Sequence, residues 1–143
     1  MSKTIIARVL LGAIFITTGL NGFFHFLPMV PLPSRAGAFM EALGATGYFF
    51  PFLKTLETIC GVLLLTGTLV PLTLVVLAPI VSNILMFHFF LAPSGLPLPL
   101  MIAVLLAYLS FFADPYAPIV KRLFRLHLTE PISIKKMKSI HVS

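Results

Sequence analysis

The sequence predicts an all-α integral membrane protein: a bundle of four transmembrane helices, with a short interfacial amphipathic helix between the first and the second. Two compositional observations support this fold class. Of the 143 residues, 59% are hydrophobic and 10% are charged, and the mean hydropathy is +1.08. Such a chain has too little polar surface to cover a soluble globule. The third observation is the recurrence of apolar segments about 20 residues long, the length that crosses a bilayer core.

We predict one transmembrane domain over residues 1–120, with spans at about residues 4–27, 48–67, 71–91 and 98–113. The first span is interpreted as a retained helix because its apolar run continues through Phe26 without a small-residue cleavage site. Pro28 then ends it. Pro79 falls in the middle of the third span, where we expect a kink.

Between the first two spans, apolar residues recur at helical spacing over residues 36–43, while Arg35 and Glu41 face elsewhere. This pattern predicts a short amphipathic helix at the outer interface, with Ser34 capping its start and Gly44 marking its end. The helix could be a lid over the mouth of the bundle, or a simple interfacial anchor. The sequence leaves both interpretations open.

Basic residues predict the orientation. Lys3 and Arg8 mark the N-terminus. Six more follow the last span in a basic tail over residues 121–143: Lys121, Arg122, Arg125, Lys135, Lys136 and Lys138. Basic flanks are retained in the cytoplasm, so we expect a multi-pass protein of the cell (inner) membrane with both termini cytoplasmic. The expected partner of the tail is the lipid bilayer, and nucleic acid is disfavoured.

Cys60 is the only cysteine of the chain. An internal disulfide, a CxxC redox motif and a thiolate metal cluster are therefore excluded. This removes membrane disulfide-exchange enzymes from the candidate functions.

Polar and ionisable residues inside the predicted spans form the candidate ligand-binding site. Ionisable groups cost at least about 2.5 to 3.5 kcal/mol each at membrane depth, so they normally face the bundle interior and indicate function or a structural pair. The predicted topology brings all of them to the outer half of the first three spans, where they can converge. They are Asn21, His25, Lys54, Glu57, Asn83 and His88.

The first and third spans resemble each other locally, since each carries an asparagine followed by a histidine near its outer end. Asn21 and His25 are four residues apart and share a helix face. Asn83 and His88 are five apart and diverge by about 140° on an ideal helix. We therefore expect that they cannot both point inward unless the kink or a π-bulge rotates the turn.

Four functions fit these polar groups. In the first, they only hold helices together, with Lys54 and Glu57 paired. In the second, a quinone head group binds between aromatic walls, with His25 or His88 donating to its oxygen and Glu57 relaying a proton. The third is ion or solute passage coupled to Glu57. The fourth, a haem or metal held by His25 and His88, is disfavoured because two histidines at equal depth are common.

Three stretches carry a resemblance to a known family: residues 8–12 (RVLLG), residues 21–25 (NGFFH) and residues 54–67 (KTLETICGVLLLTG). Together they resemble the DoxX family, over about residues 5 to 115. The positions that match the family pattern are Arg8, Gly12, Glu57 and Gly61.

The resemblance implies a four-helix membrane protein. The family is named after a subunit of a thiosulfate:quinone oxidoreductase, and other members are linked to membrane redox and oxidative-stress complexes. Similar animal proteins include membrane-protein assembly chaperones. We therefore expect a membrane component of a redox system, with a quinone as the candidate cofactor and a membrane or soluble redox protein as the candidate partner. The alternatives are a non-catalytic assembly protein and a proton-coupled transporter of small solutes. Whether the chain is an enzyme stays open, as does whether it forms a homo-oligomer.

Overall fold

The computed structural model describes residues 2–28 and 30–124, and this part of the chain is all-helical, without strands. Six α-helices and one 3-10 turn follow each other: α1 (Ser2–Phe24), α2 (Ser34–Ala45), α3 (Phe49–Thr66), α4 (Val70–Phe90), the turn Pro93–Gly95, α5 (Pro97–Phe111) and α6 (Tyr116–Phe124). The basic tail residues Arg125, Lys135, Lys136 and Lys138 lie outside the described residues.

Three of these helices, α1, α3 and α4, are long and apolar enough to cross a membrane. A fourth span is counted only if α5 and α6, which are bent by 87° at a short break, are taken together. The helix bounds fall within a few residues of the predicted spans. The largest difference is in α1, which ends at Phe24 rather than near residue 27.

Glycines allow α1 and α3 to pack closely, and these two form the most extensive helix pair of the fold. A Cβ atom added to Gly61 would lie 2.7 Å from the backbone nitrogen of Ile16 and 2.9 Å from the carbonyl oxygen of Gly12. Only a residue without a side chain permits this approach, which is how membrane helices gain packing energy without a hydrophobic drive. Beside this pair, α4, α5 and α6 pack together around buried Leu74 and Leu109.

The turn between α3 and α4 lies beside the start of α1. Gly67 ends α3 in the left-handed region, at φ 77°, and the bonds from Gly67 N to Leu64 O and from Thr68 N to Leu63 O form a Schellman motif. The guanidinium of Arg8 packs against Gly67, where a Cβ atom would overlap it. The beginning of α1 and the α3–α4 turn therefore occupy the same end of the molecule.

The segment between α1 and α3, for which a short amphipathic helix is predicted, is helical, but its ends differ from the prediction. Ser34 is the first residue of α2 and not its cap, because Pro33 holds the cap position and contributes no side-chain bond. At the other end, the helix continues through Gly44 to Ala45. The hydroxyl of Thr46 then donates to the carbonyl of Leu43 at 2.6 Å, which satisfies one of the last carbonyl groups.

Candidate functional site

A cavity of about 500 Å3 lies between α1, α2, α3, α4 and the start of α5. Its walls are largely apolar and contain five phenylalanines: Phe15, Phe39, Phe49, Phe50 and Phe87. The polar lining comprises five side chains: Thr18, Lys54, Glu57, Asn83 and His88. Apolar walls with a few convergent polar groups, in a volume between about 300 and 1,000 Å3, are typical of small-molecule sites.

An ion pair on α3 lies in the wall of this cavity. Lys54 Nζ lies 2.8 Å from Oε2 of Glu57, one helical turn away. The Glu57 side chain is only 2% exposed, whereas that of Lys54 is 23% exposed. The carboxylate is thus the buried partner, and the ammonium group reaches towards the more open side. Their charges cancel, so this pair leaves the cavity wall without net charge.

The two carboxylate oxygens of Glu57 have different surroundings. Oε2 accepts a hydrogen bond from Lys54 Nζ and a longer one, of 3.5 Å, from the hydroxyl of Thr18. Within residues 2–28 and 30–124, Oε1 has no hydrogen-bond partner. Glu57 is one of the residues that line the cavity, so this carboxylate oxygen is left as an acceptor in the cavity wall.

The α1–α3 interface positions the ion pair. Gly22 of α1 lies against the stem of Lys54, and a Cβ atom at this position would overlap the lysine side chain. Gly19 lies similarly against Thr58. The missing side chains let the stem of Lys54 pass α1 and direct its ammonium group to Glu57. Neither Gly22 nor Thr18 was among the site residues predicted from the sequence. The signal for Gly22 was its three-residue spacing from Gly19.

Asn83 and His88 both line the cavity, although they are five residues apart on α4. The cavity-lining residues of this helix run from Pro79 to His88 and span about 180° of its circumference at 100° per residue. Asn83 and His88 lie near the two edges of this broad face. Their divergence of about 140° therefore does not keep either out of the cavity, and α4 is a single α-helix throughout.

His88 is oriented by its own helix. Its Nδ1 lies 2.9 Å from the carbonyl oxygen of Ile84. A carbonyl only accepts, so Nδ1 carries a proton, and in the neutral ring Nε2 is left as an acceptor. Gly95 packs so closely against the ring that a Cβ atom added to it would lie only 2.7 Å from Cδ2 of His88. The imidazole is thus held between its own helix turn and the 3-10 turn.

Asn21 and His25 do not line the cavity. The side-chain oxygen of Asn21 accepts a hydrogen bond from the backbone N–H of Leu27 at 2.7 Å, so it organises the chain that leaves α1. His25 follows the end of α1 with φ 49° and is exposed. Four of the six predicted site residues, Lys54, Glu57, Asn83 and His88, are therefore brought together. The structure does not bring His25 and His88 into one cavity.

Over the described part of the chain, there is no cluster of three or more histidine, cysteine, aspartate or glutamate side chains that could hold a metal ion. The polar groups of the cavity instead offer hydrogen bonds and one ion pair. Such groups can orient an organic ligand and exchange protons with it.

The sequence model of the DoxX family matches residues 4–89. The chain belongs to the DoxX family. The resemblance found in the sequence is thereby confirmed. The matched residues include every polar residue that lines the cavity. The match ends before the wall contributed by α5. No curated protein and no solved structure matches the chain.

Proposed function

We propose that this DoxX-family membrane protein binds a quinone-type ligand in the cavity around Glu57 and acts as the membrane component of a redox system. One observation carries the proposal: the wall of a cavity of about 500 Å3, rich in phenylalanine, contains the buried carboxylate of Glu57, whose Oε1 has no hydrogen-bond partner among the described residues. An ionised carboxylate in apolar surroundings is costly, and helix packing alone does not require it.

Quinones match the shape and polarity of the cavity. Their rings are flat and apolar, and the phenylalanines offer surfaces for offset or edge-to-face packing. A quinone oxygen can accept from Lys54 Nζ, and a quinol hydroxyl can donate to Glu57 Oε1 or to His88 Nε2. Reduction of a quinone takes up two electrons and two protons. Glu57 and His88 would exchange the protons, and a redox partner protein would exchange the electrons.

The proposal includes a membrane topology. We infer that α1, α3, α4 and α5 form a four-helix transmembrane bundle, and that α2 and α6 lie at opposite interfaces. The contact between Arg8 and Gly67 supports this arrangement, because it brings the start of α1 to the same end as the α3–α4 turn. Lys121 and Arg122 of α6 follow the end of α5 at that end. Basic flanks favour the cytoplasm, so both termini would be cytoplasmic in the cell membrane.

In this topology α2 lies on the extracytoplasmic side, where it contributes Phe39, Met40 and Leu43 to the cavity wall. Phe39 also packs on Phe87 of α4, with ring centroids 5.9 Å apart. The helix would therefore act as a lid over the ligand, rather than only as an anchor in the interface.

Calorimetric titration of a short-chain quinol into the protein in lipid nanodiscs tests the proposed function. The variants are Glu57→Gln and a matched control, Glu41→Gln, which makes the same change on an exposed residue of α2. We expect the control to bind like the unaltered protein and Glu57→Gln to bind about tenfold more weakly, because a charge-assisted hydrogen bond becomes a neutral one. If all three proteins bind the quinol with equal affinity, or if none binds it, the proposal is contradicted. Either result would favour the alternative of a non-catalytic assembly protein.

A further inference from the structure

Two adjoining pockets flank α6 at its junction with α5. The first has a volume of about 550 Å3 and is lined by Phe111, Phe112, Asp114, Lys121 and Arg122, among others. The second is an apolar groove of about 180 Å3 between α4, α5 and α6. Both include Phe111 in their walls. A polar pocket therefore adjoins a groove lined almost entirely by hydrocarbon, which is the arrangement that an amphipathic molecule requires.

The position of α6 is fixed by packing. Ala117 and Val120 are buried, and the helix contacts both α4 and α5. It is bent by 87° from α5, so it lies along the membrane surface if α5 crosses the bilayer. Lys121 and Arg122 are exposed, as are Leu123 and Phe124. This short helix thus presents cations and apolar side chains together at one level of the protein.

The charges of the larger pocket define the ligand. Two cations, Lys121 and Arg122, face one carboxylate, Asp114, which leaves one net positive charge. A phosphodiester carries one negative charge, and the guanidinium and ammonium groups are its usual donors in proteins. The carboxylate would repel a second anionic group, but it can accept hydrogen bonds from hydroxyl groups.

We propose that the α5–α6 junction is a binding site for an anionic phospholipid with a hydroxylated head group, such as a phosphatidylglycerol. The phosphodiester lies against Lys121 and Arg122, and a head-group hydroxyl donates to Asp114. One acyl chain lies in the apolar groove, beside Val120 and Phe124. The head-group pocket lies at the end of the molecule marked by Arg8 and Gly67, and neither pocket shares a lining residue with the cavity around Glu57. It does not depend on the function proposed for that cavity.

The test is lipid retention by native mass spectrometry of the full chain, released from micelles that contain equal amounts of phosphatidylglycerol, phosphatidylethanolamine and phosphatidylcholine. The variant is Lys121→Gln with Arg122→Gln. The matched control is Lys3→Gln, which removes an exposed basic residue at the same end of the molecule. A third protein, Lys121→Arg with Arg122→Lys, keeps both charges, and circular dichroism checks that each variant is folded.

We expect the unaltered chain to retain phosphatidylglycerol selectively. The double glutamine variant should bind this lipid about tenfold more weakly. The Lys3→Gln control and the charge-keeping variant should retain the lipid. Equal loss in the control would show only general attraction to anionic lipid and would overturn the proposal. So would preferred retention of phosphatidylethanolamine, or displacement of the lipid by millimolar inorganic phosphate, which would indicate a site for a free anion.

Discussion

Lys54 Nζ and Glu57 Oε2 form an ion pair of 2.8 Å on one face of α3, and the carboxylate is almost completely buried. A pair of this kind contributes little net stability, because the cost of removing two charges from water offsets their attraction. Stability therefore does not explain why α3, otherwise an apolar helix, carries these two residues. The proposed function gives them a role as ligand contacts, because they line the cavity and Oε1 of Glu57 has no hydrogen-bond partner among the described residues.

Removing the lysine should destabilise the protein because the carboxylate then stays buried without its cation. We expect Lys54→Met to lower the free energy of unfolding by about 1 to 3 kcal/mol. The double variant with Glu57→Gln should lose less than the sum of the two single losses, with a coupling of about 0.5 to 3 kcal/mol. Thermal unfolding in detergent, followed by circular dichroism, measures the four proteins. Strict additivity would show that the pair is not coupled.

The close approach of α1 and α3 predicts a strong effect at Gly61. A Cβ atom there would meet backbone atoms of Ile16 and Gly12, which cannot move aside as a side chain can. We expect Gly61→Ala to cost about 1 to 3 kcal/mol in the free energy of unfolding. Gly37 is the control, because it lies in α2 with nothing within 4 Å of an added Cβ atom. Gly37→Ala should be neutral or stabilising, by up to about 1 kcal/mol.

Alanine substitutions at Gly67 and Gly47 distinguish the cost of backbone strain from the cost of a clash with a neighbouring side chain. Both have positive φ, 77° and 74°, so alanine at either site strains the backbone by about 1 to 2 kcal/mol. An added Cβ atom overlaps Arg8 only at Gly67, whereas it meets nothing at Gly47. We expect Gly67→Ala to lower the midpoint of thermal unfolding more than Gly47→Ala does. The difference should shrink when Arg8→Ala is added, and an unchanged difference would argue against the contact.

His88, on α4, and His25, which follows the end of α1, should differ in their effect on ligand binding. His88 lines the cavity and His25 does not. We expect His88→Ala to weaken quinol binding by about tenfold, the value of one hydrogen bond, and His25→Ala to leave quinol binding unchanged. Titration calorimetry in nanodiscs compares them. A larger effect at His25 would place the ligand elsewhere.

Much of the helical framework could be predicted because apolar runs and composition control insertion into lipid. The Lys54–Glu57 pair also followed from its spacing of three residues on one helix. By contrast, α6 was not predicted, because Pro115 and Pro118 fall just before and within its first turn and proline usually ends or interrupts a helix. Pro118 is in fact the third residue of α6, within the first turn, where a helix needs no proline N–H.

The exclusion of Asn21 and His25 from the cavity could not be predicted either. It depends on α1 ending at Phe24 and on the Asn21 side chain bonding to Leu27 N, a local choice that periodicity does not reveal. Likewise, the width of the lining face of α4 depends on how far its neighbours stand apart. That distance is set by packing in three dimensions, so the sequence alone left Asn83 and His88 in apparent conflict.

Photoaffinity labelling with a photoreactive short-chain quinone shows whether a quinone occupies the cavity around Glu57. The protein in nanodiscs is irradiated with the probe, with and without excess unlabelled quinone, and the modified peptides are mapped by mass spectrometry. We expect labelling on cavity residues such as Phe39, Phe87 and His88. The competitor should remove this labelling, and it should fall sharply in Glu57→Gln but not in Glu41→Gln. Labelling confined to lipid-facing residues such as Val104, or labelling that the competitor does not reduce, would contradict the proposed function.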